Sequence, residues 1–335
     1  MKTHCYLVNK IINIMFEENL ELISGSRILL NIGDEKIAAI DWVEENKSFI
    51  DQYLSKYGAL LVRGLAIQDG EEFGGILAKL FGEELNKYTY RSTPRTELGK
   101  NVYTATEYHK SEVIPQHNEV SYSNSWPMRI GFLCLKPADY KGNTPISDSR
   151  LAYQMIPKEI RDEFEKKKVM YVRNYSKIDL PWQEVFQTDN KKEVEKYCED
   201  NHLLYEWLSN DVLRTKQINQ ASMLHPGSQE MVWFNQAHLF HISNLDEEIA
   251  EGLIALLGQE NLPRNAYFGD GTSIDPAYLS KIRAVYEDTK FSFQWESNDL
   301  LLLDNMLYTH GREEFDGSRK VLVGMARPYK SSKFD

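Results

Sequence analysis

Short apolar runs lie towards both ends of the chain with a long helix-forming stretch between them, and they do not alternate regularly with helices. Ala59-Leu60-Leu61-Val62-Arg63, 128–135 and 169–173 read as strands, as do 291–295, 299–304 and 320–326, which polar turns separate. Helical periodicity covers 44–57, 70–82, 155–167, 191–209, 246–257 and 275–287. A doubly wound parallel sheet needs strand, helix and strand in steady succession, and this order lacks it. The pattern points to a mostly antiparallel β-core decorated by helices. Aromatic residues make up 12% of the chain, with 19 Tyr and 6 Trp, which suits a β-rich core around an enclosed pocket.

No repeat, low-complexity tract or Pro/Gly/Ser linker divides the 335 residues, so one unit spanning 1–335 is expected. The net charge of −11 argues against general attraction to nucleic acid or to an anionic membrane surface. No apolar run approaches the ~18–20 residues of a membrane span. The first sixteen residues mix Lys2, His4, Asn9, Lys10 and Asn13 among apolar ones and lack a clean signal-peptide core. Cys5, Cys134 and Cys198 are too widely spaced for a disulfide framework or a zinc pattern, and they fit a reducing cytoplasm.

Two segments carry the strongest chemical signal: Gln116-His117-Asn118-Glu119, and Asn305 to Arg312, which contains His310. On an extended segment residues i and i+2 share a face, so His117 and Glu119 can aim an imidazole and a carboxylate at one point. His310, from a distant strand, would complete one face of an octahedron. Two histidines and a carboxylate with three open positions form the facial triad of non-haem Fe(II) oxygenases. Taken alone, the triplet is read more readily as a surface His–Glu pair and a satisfied turn histidine. His238 and His241 have helical i, i+3 spacing, but no third ligand is nearby in sequence; they read as structural or pocket-lining.

Arg319 follows His310 by nine residues and opens a strand expected to lie beside the one ending at His310. A guanidinium there can grip a carboxylate whose other end chelates the metal. Thr144, in Lys141-Gly142-Asn143-Thr144-Pro145, offers a hydroxyl to the same carboxylate. A dicarboxylate with a 2-keto acid at one end fits, and 2-oxoglutarate is that molecule. Arg312 and Arg327 are rivals for the anion; Arg312 also suits a loop-orienting role.

With these residues in hand, the chain resembles the taurine dioxygenase/clavaminate synthase-like Fe(II)/2-oxoglutarate-dependent dioxygenases over about residues 55–328. The resemblance rests on ordered blocks: Ala59 to Gly64, His117-Asn118-Glu119, Gly142 to Pro145, Leu303-Asp304-Asn305, His310-Gly311-Arg312 and Gly317-Ser318-Arg319. It implies a β-rich α+β fold: a double-stranded β-helix (jelly roll) core with flanking helices and a helical insertion at about 150–290. It also implies His117, Glu119 and His310 as metal ligands, and Thr144 and Arg319 as partners of the 2-oxoglutarate carboxylate. Fe(II), with 2-oxoglutarate and O2 as cosubstrates, would be required. Related halogenases carry a small residue in place of the carboxylate, so Glu119 favours oxygenation.

Tyr90 to Thr96, Asn101 to Thr104 and Val232 to His238 are similar to the syringomycin-type hydroxylases of nonribosomal peptide pathways. That branch implies hydroxylation of an amino acid or amino-acid-derived precursor, free or held on a peptidyl carrier protein. Arg91, Asn101, Tyr103, Phe234 and Asn235 are candidate substrate-pocket residues, with core packing and turn hydrogen bonds as their other reading. Arg91 and Arg95 sit in a loop where arginines are usually solvated. Taurine dioxygenase-like members bind the substrate anion with a second Arg four residues after the first; here that position is Val323. The sequence leaves open the substrate, the outcome between hydroxylation, desaturation and cyclisation, and the oligomeric state. A zinc-dependent hydrolase on the same His2Glu set, or a non-catalytic small-molecule-binding jelly roll, is the alternative.

Overall fold

The computed structural model describes residues 20–23, 26–33, 37–87, 90, 92–176 and 178–331. The expectations placed on the first sixteen residues, Cys5 included, and on Arg91 lie outside these. In chain order the elements that build the site are strands β1 (Leu20–Ile23) and β2 (Ser26–Asn31), helix α1 (Ala39–Tyr57), β3 (Ala59–Arg63), α2 (Gly70–Phe81), β4 (Glu97–Gly99) and β5 (Val102–Thr104). They continue with β6 (Ile114–His117), β7 (Ser125–Lys136), β8 (Ile146–Asp148), β9 (Val169–Tyr175), β10 (Leu204–Trp207), β11 (Leu213–Asn219) and β12 (Arg264–Phe268). The last three are β13 (Leu300–Asp304), β14 (Tyr308–Arg312) and β15 (Lys320–Lys330).

An eight-stranded sheet runs in the order β1-β2-β3-β13-β7-β15-β5-β4, antiparallel except for the β2–β3 pair. Its centre is uniformly apolar because it is covered on both sides. Alternate residues of β13 point to opposite faces. Leu300 and Leu302 therefore pack with α1 and α2 residues such as Phe49, Leu54, Ile76 and Leu77. Leu301 and Leu303 join the second core with Ile130, Phe132 and Val323. Helix α2 starts where the Asp69 side chain accepts from the Glu72 amide and stops at Gly82, whose φ of 76° ends the helix left-handed.

A smaller sheet, β8-β14-β6, carries His117 and His310. Between its strands lies the 150–290 stretch, expected to be helical. It holds helices and also a four-stranded antiparallel sheet, β10-β11-β9-β12. The helix expected over 191–209 ends at Asp200, and Leu204–Trp207 pairs with β11 instead. Local periodicity favours a continued helix there; pairing with an existing strand overrides it. The segment expected at 155–167 becomes two helices, Ser149–Met155 and Lys158–Lys167, because Pro157 cannot continue the first. The strand expected at 291–295 is absent. Only Phe291 makes a bridge, to Ile146, and Trp295 turns its indole N–H to Thr144.

Candidate active site

Three side chains converge where β6 meets β14. His117 and His310 are directly opposed partners in this antiparallel pair, with ring centroids 4.4 Å apart. Glu119, two residues beyond His117, brings its carboxylate beside them. The ligand atoms of His117, Glu119 and His310 all lie within 4.8 Å of one another, and all three residues are buried. Among the described residues this is the only group of three or more His, Cys, Asp or Glu so placed. His238 and His241 stand apart from it. Nε2–H of His238 donates to the Gln116 carbonyl, and His241 Nδ1 contacts the Ser243 hydroxyl at 2.9 Å.

A lattice of buried amides fixes the His117–Glu119 segment. The Asn305 side chain accepts from the Glu119 amide at 2.7 Å and donates to the Glu119 and Pro127 carbonyls, each at 2.8 Å. Asn118 donates to Ser149 and to the Asn305 carbonyl. Gln116 donates to the Pro145 carbonyl and accepts from Thr309. The turn ahead of β14 is held by Asp304. Its carboxylate accepts from the Met306 and Leu307 amides, from Arg129 and from His225.

His117 Nδ1–H donates to the Pro115 carbonyl at 2.9 Å, which leaves the Nε2 lone pair for a metal. Burial, reinforced by neighbouring His310, pushes the His117 imidazole down to about 3, so it is neutral at physiological pH. Burial alone would raise the Glu119 carboxyl. Arg95 and the hydrogen bond from His310 outweigh it, and the carboxyl sits below its usual range. Two imidazoles and an ionised carboxylate fit a divalent cation.

Arg95 departs from the solvated arginine expected of its loop. It is 7% exposed, and its Nη2 lies 2.6 Å from Glu119 Oε2. Nothing in the local sequence marks it, because the contact spans 24 residues and depends on how two loops fold.

Thr144 and Arg319 meet as the anion argument expects. Arg319 Nη2 donates to Thr144 Oγ1 at 3.2 Å, and Arg319 Nε donates to the Gly142 carbonyl at 2.7 Å. Gly142 has φ +72°, and a Cβ there would lie 2.8 Å from Phe315 Cβ and 2.9 Å from Ala138 Cβ, so the turn presenting this carbonyl needs glycine. The strand that follows Arg319 is not beside β14, however. β15 pairs with β7 and β5 in the large sheet, so Arg319 reaches the Thr144 loop from the other sheet. Trp295, which the sequence did not single out, donates its indole N–H to Thr144 Oγ1 at 3.1 Å. Burial brings the Arg319 guanidinium down to about 10, still cationic at neutral pH.

One cleft of about 360 Å³, its open mouth included, joins the two groups. Arg95, Thr106, Phe132, His117, His310, Thr144, Arg319 and Val321 line it. The rival arginines are engaged elsewhere. Arg312 donates to the backbone carbonyls of Thr106, Tyr108, His109 and Glu112, which ties down the 106–112 loop. Arg327 pairs with Asp51 at 2.6 Å.

The described substrate candidates, Asn101, Tyr103, Phe234 and Asn235, are not among the residues that line this cleft. Asn101 donates to the Leu85 carbonyl and Asn235 to the Ala221 carbonyl, while Phe234 packs on Trp126. Tyr103 is fully buried and sits opposite Val323 in the β5–β15 pair. These contacts match the packing and turn-bonding reading of those positions.

The family model described as taurine catabolism dioxygenase TauD, TfdA family, matches residues 26–326. The chain belongs to that family. It is an Fe(II)/2-oxoglutarate-dependent dioxygenase, with Fe(II), 2-oxoglutarate and O2 as its requirements. It is 41% identical over 280 residues to the dapdiamide synthesis protein DdaC of Enterobacter agglomerans, covering 83% of this chain and 85% of that one. A clavaminate synthase-like protein of Arabidopsis thaliana is 26% identical over 298 residues, 85% of this chain and 86% of that protein. The fold is shared with PvcB, an Fe, α-ketoglutarate-dependent oxygenase from an isonitrile synthetic pathway (TM-score 0.52, 16% identity, 92% of this chain and 89% of that chain). It is also shared with asparagine oxygenase bound to Fe(II), 3-hydroxyasparagine and succinate (TM-score 0.52, 12% identity, 85% and 79%). No helix among the described residues is long and apolar enough to cross a membrane.

Proposed function

We propose that this dioxygenase hydroxylates an unactivated C–H bond of an amino acid or amino-acid-derived natural-product precursor. The observation that carries the reading is the cleft lined by His117 and His310, whose donor atoms lie with that of Glu119 in one group, and by the Thr144–Arg319 pair. His117, Glu119 and His310 would hold Fe(II), which supplies the O2-dependent oxidising chemistry when bound. Arg319 and the Thr144 hydroxyl would hold the distal carboxylate of 2-oxoglutarate. Thr144 Oγ1 already accepts from Trp295 and Arg319, so its one O–H proton is directed to the incoming carboxylate. The Pro115 carbonyl keeps His117 in the tautomer that offers Nε2, and Asn305 fixes the Glu119 backbone. Phe132, 5.0 Å from the His310 ring, contributes an apolar wall that limits water near the reacting atoms.

In this reading the chain is one catalytic unit. Its core is a double-stranded β-helix formed by the two facing sheets, and the 150–290 stretch is an insertion. The amino-acid class rests on similarity to the dapdiamide synthesis protein and on the asparagine oxygenase fold neighbour. The test is anaerobic addition of Fe(II) and 2-oxoglutarate, expected to give a weak visible charge-transfer band. A screen of amino acids, free and carrier-loaded, should follow, with succinate formation coupled to a mass gain of one oxygen. A protein that gives no band, or that hydrolyses a substrate without O2 or 2-oxoglutarate, refutes it in favour of the zinc-hydrolase alternative.

A further inference from the structure

We propose that Arg95 is a positioning residue for Glu119: it keeps one carboxylate oxygen engaged, so that a metal is ligated through a single Glu119 oxygen and three coordination positions stay open. The inference rests on the iron reading above and deepens it by naming what sets the coordination number.

A carboxylate can bind a metal through one oxygen or through both. Beside two histidines on an octahedral metal, the first mode leaves three positions open and the second leaves two. A keto-acid chelate takes two of them, so only the first mode keeps a place for O2. Whatever holds Glu119 to one oxygen therefore decides whether the loaded site can react.

The surroundings of the carboxylate point to Arg95. Its Nη2 donates to Glu119 Oε2 at 2.6 Å, and both side chains are 3% exposed. The same Oε2 lies 3.5 Å from His310 Nε2. The guanidinium thus meets the carboxylate on the side of the other donors, where a two-oxygen ligand would need both oxygens bare. Neither partner can withdraw as a whole. The backbone on either side of Arg95 is pinned: the Pro94 carbonyl accepts from the Glu107 amide at 3.2 Å, the Thr96 carbonyl accepts from the Thr104 amide at 2.9 Å, and the Thr96 amide donates to Thr104 Oγ1. Asn305 holds the amide and the carbonyl of Glu119. Pulling two buried charges apart is strongly unfavourable, so the pair persists when a metal binds. The Arg95 cation also repels a metal dication. Arg95 therefore weakens metal binding and keeps a coordination position free, a combination that a purely architectural contact does not produce.

The test uses the full-length protein with Mn(II) alone and then with N-oxalylglycine, an inert stand-in for the cosubstrate. Electron paramagnetic resonance of free Mn(II) gives the Kd, and pulsed measurements in 17O-labelled water count the water ligands. Wild type is expected to hold three waters, and one after N-oxalylglycine binds. Arg95→Met, which removes the charge and the hydrogen bond, should bind Mn(II) roughly tenfold tighter, the order of one charge–charge interaction in a partly solvated site. It should hold two waters, and none with N-oxalylglycine. Arg95→Lys keeps the charge and should restore the third water. In turnover with Fe(II), Arg95→Met should lower kcat for succinate formation about tenfold or more, with the KM for 2-oxoglutarate within about twofold of wild type. Should Arg95→Met fail to fold, Arg95→Gln takes its place with the same expectations. Mn(II) binding that is equal or weaker in the variant, or an unchanged water count, overturns this inference alone, as do two waters on the wild-type protein. Failure of wild type to bind Mn(II) overturns the iron reading and this inference with it.

Discussion

Replacing Asn305 with alanine tests whether the amide lattice holds the catalytic segment in place. The Asn305 side chain makes three buried hydrogen bonds: it accepts from the Glu119 amide and donates to the Glu119 and Pro127 carbonyls, all at 2.7–2.8 Å. Alanine leaves one buried N–H and two buried carbonyls unpaired, and each orphaned group costs about 1–3 kcal/mol. The space vacated by the amide can admit a water that re-pairs part of this set, which places the total near the lower end, about 3–5 kcal/mol. Asn46→Ala is the matched control. Its buried amide makes one hydrogen bond, to the Trp42 carbonyl at 2.7 Å, within α1. That loss is about 1 kcal/mol, and the better helix propensity of alanine offsets about half of it. Urea denaturation in EDTA, followed by tryptophan fluorescence, reads both changes as shifts in midpoint at unchanged slope. The same curves with Mn(II) report metal binding, which Asn305→Ala should weaken because the Glu119 backbone loses its two amide contacts. An Asn305→Ala loss no larger than that of Asn46→Ala, with the Mn(II) shift intact, would refute the reasoning.

Other expectations follow from the same geometry. His117→Ala or Glu119→Ala should abolish succinate formation in a 2-oxoglutarate turnover assay, and unchanged turnover in either removes that residue from the metal site. Trp295→Phe deletes one hydrogen bond to Thr144 Oγ1, worth about 1 kcal/mol, so anaerobic titration should show 2-oxoglutarate binding roughly fivefold weaker. A Kd equal to wild type would show that Trp295 does not position Thr144. Acid should destabilise the metal-free protein through His238, which burial holds at about 4 against 6.5 unfolded. Between those values the unfolded chain takes up a proton that the folded one refuses, so this contribution is full above pH 6.5 and is lost as pH falls towards 4. At about 1.4 kcal/mol per unit the loss is on the order of 3 kcal/mol, and His238→Gln should flatten the measured stability–pH slope in that window.

The local pattern of residues determined a good deal. Ala59–Arg63 and α2 appear where periodicity and punctuation place them, because each carries its buried apolar positions in its own residue pattern; the 247–257 helix also appears where expected, although none of its residues is fully buried. The His117-Asn118-Glu119 spacing pointed to a shared site through strand alternation, but β6 ends at His117 and Glu119 reaches the histidines from the turn that follows, where Asn305 holds its backbone. What local sequence could not supply was anything that depends on which strands become neighbours. The opposition of His117 and His310 is a register of β6 against β14 between residues 193 positions apart. The burial of Arg95 against Glu119 and the approach of Trp295 to Thr144 are contacts between loops. The placement of Arg319 on the far sheet follows from β15 pairing with β7 and not with β14. Chain composition determined which chemistries were available; only the folded sheets decided which charges face one another, because electrostatic and hydrogen-bond partners are selected by distance in space and not along the chain.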